Sequence, residues 1–263
     1  AATGIANNTG APGVSGQTTQ VGHALDLAAG SRSLSSVAGY FAFSSAGDQR
    51  LTAGRDAVRV TGMAVTHGFL STVGVHFAMG RDFNAAECAW QGPGAAVLSH
   101  DLWAGHFSSD PAIIGRVVTL NDAPVTIVGV LPASFDFGSV FAPGTSADLF
   151  IPFPMTPETN AWGNTLALIG RLAEGATVES AAAELAVLAP VITGANPDRN
   201  DFSPRVTALK DHVSGSARPA LLLLSGAVLV VMLVLCANLS NLLLARATTR
   251  QKEMAIRAAL GAG

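Results

Sequence analysis

Residues 219–245 read PALLLLSGAVLVVMLVLCANLSNLLLA, 27 positions without a charged side chain. A helix needs about 20 apolar residues to cross a hydrocarbon core roughly 30 Å thick. A buried core helix of a soluble domain is the alternative reading, but such helices seldom run beyond about 20 uninterrupted residues. A secretion signal would stand at the N-terminus. The stretch is therefore read as one transmembrane helix over residues 219–245. No Trp or Tyr lies near either end. The surplus length implies tilt, or a helix that continues out of the bilayer as a stalk.

The flanks orient it. Arg246, Arg250, Lys252 and Arg257 follow the span with a single acid, Glu253, whereas Lys210 and Arg218, with Asp211 between them, precede it. Four basic residues against two place residues 246–263 in the cytoplasm. Residues 1 to about 215 then lie outside, in the periplasm if the membrane is the inner membrane of a two-membrane bacterium. Residues 1–245 carry 11 basic and 17 acidic side chains. Across all 263 residues the net charge is −3 and charged residues make up 13%, about half the usual share. Mean hydropathy is +0.41. These values argue against a disordered chain and against a nucleic-acid partner, which would need a basic face. The two cysteines, Cys88 outside and Cys236 in the span, do not form a disulfide framework. The sequence opens without Met and stops at Gly263 without a tail, so it is read as a piece of a longer protein.

The expected fold class is α+β: a mixed outer domain of two βαβ-like halves with an inserted sub-domain, then one long transmembrane α-helix. Residues 1–20, all Gly, Thr, Asn, Ala and similar, read as a flexible lead-in. Residues 21–215 form the outer domain. Alternation predicts a strand at 58–65. Thr66 is expected to cap a short helix at 67–73, which Gly74 ends in the left-handed conformation. A strand at 95–98 leads to a helix at 100–107 capped by Ser99. Residues 117–120 and 125–130 read as a hairpin turning at Asn121-Asp122, residue types that tolerate positive φ. Pro132, Pro143, Pro152, Pro154 and Pro157 mark a break between sub-domains. Beyond it come a strand at 166–172, a helix from Val178 to about Ala189 capped by Thr177, and a strand at 206–209.

No catalytic set converges. Ser99-His100-Asp101 holds the residue types of a hydrolytic triad, but consecutive side chains at a helix start point apart, and the helix-cap reading prevails. The six histidines include no i, i+4 pair, so no helical metal site is expected, and no phosphate-binding glycine loop is present. No cofactor is expected. Within the span, Asn238, Ser240 and Asn241 are the polar members, and Asn238 and Asn241 share a face. An unpaired amide in lipid is costly, so they are read as helix-packing residues, with a substrate path as the alternative. Residues 246–260 are expected to form an amphipathic helix at the membrane face, supported by the Glu253–Arg257 spacing.

Cys236-Ala237-Asn238-Leu239-Ser240-Asn241 through Arg246, followed by Arg250-Gln251-Lys252-Glu253-Met254-Ala255-Ile256-Arg257-Ala258-Ala259-Leu260-Gly261-Ala262, resembles the second transmembrane helix and cytoplasmic exit of MacB/FtsX-type ABC transporter permeases. The outer domain agrees: Gly80-Arg81-Asp82-Phe83, Val97 through Trp103, Asp110-Pro111 with Gly115-Arg116, Leu120-Asn121, and Ile127 through Pro132 are similar to that family's periplasmic core. The resemblance runs from about residue 21 to the end and is nearest the large duplicated permeases. It implies a porter-like sub-domain with an inserted one. It also implies a separate cytoplasmic ABC ATPase, whose hydrolysis moves the outer domain for efflux or mechanotransmission, and a second permease half or homodimer partner in the bilayer. Arg250, Lys252, Glu253 and Arg257 would then dock on the ATPase. The alternative is a single-span anchored binding or sensory domain. A membrane-tethered hydrolase is a third reading.

Overall fold

The structure, a computed structural model, describes residues 2–7, 17–44, 47–54, 56–141, 146–194, 202–209 and 217–259. The chain begins with β1 (Ala2–Asn7), α1 (Val21–Gly30), β2 (Leu34–Phe41), β3 (Gln49–Ala53), β4 (Asp56–Val60) and β5 (Gly62–Val65). There follow α2 (Phe69–Val73), β6 (Met79–Gly80), β7 (Ala95–Leu98), α3 (His100–His106), a 3-10 turn (Pro111–Ile113), β8 (Val117–Leu120) and β9 (Ala123–Val130). The outer unit closes with α4 (Phe137–Phe141), β10 (Leu149–Pro152), α5 (Pro157–Asn160), β11 (Leu166–Leu172), α6 (Val178–Gly194) and β12 (Pro204–Ala208). A single helix, Ala217–Ala259, ends the described chain. The molecule divides into two units, Ala1–Val213 and Ser214–Gly263.

In the first unit the twelve described strands form one mixed sheet, ordered β12-β1-β11-β2-β5-β10-β7-β9-β8-β3-β4, with β6 added beside β9. Its first four strands are antiparallel throughout. Their chain order makes β1-α1-β2 and β11-α6-β12 two βαβ halves of a ferredoxin-like motif. Everything from Ala42 to Thr165 is inserted between β2 and β11. The helices are amphipathic enough to explain the layer. Val21, Ala24 and Leu27 of α1, and Ala181, Leu185, Ala189 and Ile192 of α6, are buried with Ile5, Leu166, Leu168 and Val206. A fully buried Leu or Val of this kind contributes about 1.5–3 kcal/mol.

The insert holds two further cores. One gathers Phe69, Phe137, Phe141 and Phe150, with Tyr40 edge-on to three of these rings. The other packs Leu51, Leu98, Ile113, Val118, Ile127 and Leu149. The sheet's two parallel pairs, β5 with β10 and β7 with β9, both lie in this region.

The fold class stands as read, a mixed α/β sheet domain followed by one apolar helix, but the first βαβ half begins earlier than expected. Residues 2–7 belong not to a lead-in but to β1, which sits between β11 and β12. Its composition hides it: Gly4 and Ala6 carry little hydrophobic signal, and Gly4 lies against Thr207 with only van der Waals space. The expected strand at 58–65 is two strands. At Thr61 the N–H donates to the Asp148 carboxylate (2.7 Å) and the carbonyl accepts from the Asp148 N–H (3.0 Å). The ladder partner changes there from β3 to β10. Thr66 does not cap α2. Its hydroxyl accepts the Gly39 N–H (2.8 Å), and the helix starts after Gly68, at φ 73°. Gly74 does end α2, at φ 89°. α6 runs through Pro190 to Gly194. The bond that proline removes would have fallen on the Ala186 carbonyl, and both residues are exposed, so no buried carbonyl is left without a partner.

In the second unit, Ala217–Ala259 is one helix of 43 residues, about 64 Å long at 1.5 Å per residue. Leu222–Leu243 has a mean hydropathy of 2.6 and none of it is buried. The apolar segment and the basic segment after it are thus one element.

Candidate functional site

The residues singled out in the sequence fall on the C-terminal helix. Asn238, Ser240 and Asn241 are exposed within the apolar span. At about 100° per residue, Asn238 and Asn241 lie on one side, and Ser240 lies about a quarter turn from Asn241. Spaced three apart, the two amides are neighbours on one helix face. Lys252 and Arg257 are exposed, and their spacing of five places them well over a quarter turn apart. Arg250 and Glu253 lie on the same helix, and their side chains fall outside the described residues.

The outer domain supplies polar geometry that the sequence did not announce. Gly80-Arg81-Asp82-Phe83 packs against β9 and bonds to α2 within the insert. Gly80 has φ 76°, and a Cβ there would strike the Val128 carbonyl. Arg81 forks onto Glu87 at 2.7 and 2.9 Å. Glu87 is buried and also accepts the Asn84 N–H at 2.9 Å. The Arg81 hydrogen bond holds the Glu87 carboxyl below its usual range despite burial. Asp82 accepts the N–H groups of Phe83 (2.7 Å) and Ser71 (3.3 Å). Burial raises its pKa, and those hydrogen bonds and the charge of His67 only partly offset that. Burial, then the charges of Asp82 and Glu87, push the nearby Cys88 thiol up to about 11, which keeps it protonated and unreactive.

Between α6 and the start of β2, the Glu184 carboxylate accepts from the Ser31 hydroxyl and from the N–H groups of Arg32 and Ser33, at 2.7–2.8 Å. It ties the two βαβ halves together. Ser99 caps α3 by accepting the Leu102 N–H at 3.2 Å, while Asp101 is fully exposed and 3.7 Å from His100 Nδ1. The triad-like run is therefore a helix start. Asp110 caps the 3-10 turn through the Ala112 N–H (2.9 Å), and its carbonyl accepts the Trp103 indole (2.9 Å). Asn121 and Asp122 make the expected hairpin turn at φ 47° and 68°. The short runs that read as family signatures are thus caps, turns and a buried ion pair within the insert.

The fold is thus a ferredoxin-like frame with a large insert between its halves, followed in the chain by one helix long and apolar enough to cross a membrane. Residues 3–188 match the MacB-like periplasmic core domain, and the chain belongs to that family, a family of ABC transporter permease periplasmic domains. Solved structures share the fold. The periplasmic region of MacB from Actinobacillus actinomycetemcomitans aligns with a TM-score of 0.58 at 16% identity, covering 82% of this chain and 92% of that one. The extracellular domain of the noncanonic ABC-type transporter YknZ from Gram-positive bacteria aligns at 0.50 and 15%, covering 79% and 100%. A domain of a putative permease protein from Porphyromonas gingivalis aligns at 0.57 and 15%, covering 78% and 89%. Comparison with curated protein sequences gives no match.

Proposed function

We propose that the chain is part of the permease subunit of a MacB/FtsX-type ABC transporter. Its outer domain lies on the periplasmic side of a bacterial inner membrane. A separate cytoplasmic ATPase moves that domain, for efflux or mechanotransmission, and a second permease half or a second copy completes the bilayer part. The observation that carries this reading is the uninterrupted helix from Ala217 to Ala259. It joins an apolar span to the basic segment containing Arg250, Lys252, Glu253 and Arg257, in a protein whose outer domain is that of the MacB family. A simple anchor needs no stiff extension of four turns beyond the hydrocarbon core. The same reading assigns Asn238, Ser240 and Asn241 to contacts with neighbouring membrane helices, where their polar groups are satisfied.

The test is ATPase coupling in the whole transporter. Glu253→Lys and Arg257→Glu should leave the protein folded and inserted but abolish its stimulation of the ATPase. Coupling that survives both substitutions removes the docking role from these residues. Failure of the permease gene product to co-purify with any ABC ATPase would favour the anchored-domain reading.

A further inference from the structure

A cleft of about 390 Å³ opens beside β2, at the lower end of the range for ligand pockets. Its lining includes four successive β2 residues, 34–37, His67 before α2, Ser71 and Thr72 of α2, and Arg171 of β11. Successive side chains of a strand point to opposite faces, so a cleft that follows four in a row lies along the strand's edge. That edge is open. Gly39 donates its N–H to Thr66 Oγ1 (2.8 Å) and accepts the Thr66 N–H (2.9 Å) on the side away from β11. Two residues earlier, Val37 presents its N–H and C=O on the same side. β2 meets β5 only at Tyr40 opposite Val65, so among the described residues no strand reaches Val37 there.

The cleft also holds a cation with no counter-charge. Arg171 Nε donates to the Thr72 carbonyl at 3.1 Å. Its guanidinium rests against Gly74, where a Cβ would come within 2.7 Å of Nη2. Among the described residues no carboxylate pairs with it. Ser36 Oγ lies 3.0 Å from Thr72 Oγ1, so two hydroxyls stand together beside the guanidinium. The nearest acid in this network, Asp82, accepts the Ser71 N–H at 3.3 Å but does not line the cleft.

We propose that this cleft binds an extended polypeptide segment that ends in a free carboxylate. One residue of the segment exchanges both backbone hydrogen bonds with Val37, as an added strand does. The terminal carboxylate lies on the Arg171 fork, a geometry that a guanidinium matches with two parallel bonds. The site lies wholly within the outer domain and does not depend on ATPase coupling.

The experiment uses the full chain in detergent micelles. The probe is a fluorescein-labelled pentapeptide of alternating Thr and Val with a free C-terminal carboxylate, followed by anisotropy. The expected result is saturable binding at or below millimolar concentration, weakened roughly tenfold or more when the carboxylate is replaced by an amide. Arg171→Gln should make acid and amide peptides bind alike, and Arg171→Lys should restore part of the difference. The acid-against-amide comparison on the unaltered protein stands even if the Arg171 variants unfold. Three results overturn the proposal: no saturable binding of the acid peptide, equal binding of acid and amide, or displacement by inorganic phosphate as effective as by unlabelled peptide. The last would mark a site for a bare oxyanion instead.

Discussion

Glu184 shows two opposed effects on one side chain. Burial acts to raise its pKa. Hydrogen bonds from the Ser33 side chain, the Arg32 and Ser33 N–H groups and the Ser31 hydroxyl outweigh that and bring it to about 2. The folded value is depressed below the ordinary 4.5. Its contribution to stability is therefore complete above the ordinary value and is lost as pH falls from there toward about 2. Ala1–Val213 is one compact unit, so a fragment of residues 2–213 is the one to measure. Glu184→Gln should cost about 1.5–3 kcal/mol in urea unfolding at neutral pH, the range for hydrogen bonds to charged groups. At about pH 3 the difference should shrink. An equal deficit at both pH values would show that the lost packing matters and the charge does not. A second prediction at this scale concerns Gly80. Gly80→Ala puts a methyl into the Val128 carbonyl at φ 76°, and its urea midpoint should fall by more than that of Gly54→Ala, where nothing lies within 4 Å although φ is 71°.

Among elements, β1 is the sharpest case of what the sequence conceals. A strand flanked on both sides by other strands is satisfied by ladder hydrogen bonds, and it needs little hydrophobic alternation of its own. ATGIAN shows one large apolar residue, Ile5, which is buried. The turn at Asn121-Asp122, the cap at Ser99 and the helix at 178 were legible because each depends on local chemistry. The partner switch at Thr61 depends on Asp148, distant in sequence, and so was not. The bonds at Glu184 share that limit, because they join α6 to the start of β2, more than 150 residues earlier in the chain. The consequence of β1 is testable. Removing residues 1–20 exposes the facing edges of β11 and β12 and takes Ile5 and Thr3 from the interior. A fragment of residues 21–213 should lose its cooperative thermal transition or melt well below the 2–213 fragment. Equal melting temperatures would mean that β1 adds nothing to the stability of the sheet.

At the scale of the whole molecule, the proposed mechanics rest on stiffness. A helix transmits axial displacement only while its hydrogen-bond ladder is continuous, and the ladder here crosses from the apolar span into the basic segment without interruption. A segment lying flat on the membrane would need a bend near Arg246, and the helix has none of the usual causes of one between Leu243 and Arg250, neither Pro nor Gly. Ala247 is exposed, so replacing it disturbs no buried packing. Proline at that position removes the bond to the Leu243 carbonyl and kinks the ladder, at a local cost of about 3 kcal/mol. Ala247→Pro should therefore leave insertion and the melting of the outer domain unchanged, yet reduce ATPase stimulation in the assembled transporter at least as far as Glu253→Lys does. Ala247→Leu, which keeps the ladder, should behave as the parent. A reporter fused after Leu209 should remain extracytoplasmic in all three proteins and one fused after Gly263 cytoplasmic, which separates a coupling defect from an inverted span. If Ala247→Pro couples normally while correctly inserted, force does not travel along this helix, and the outer domain must be moved through another part of the permease.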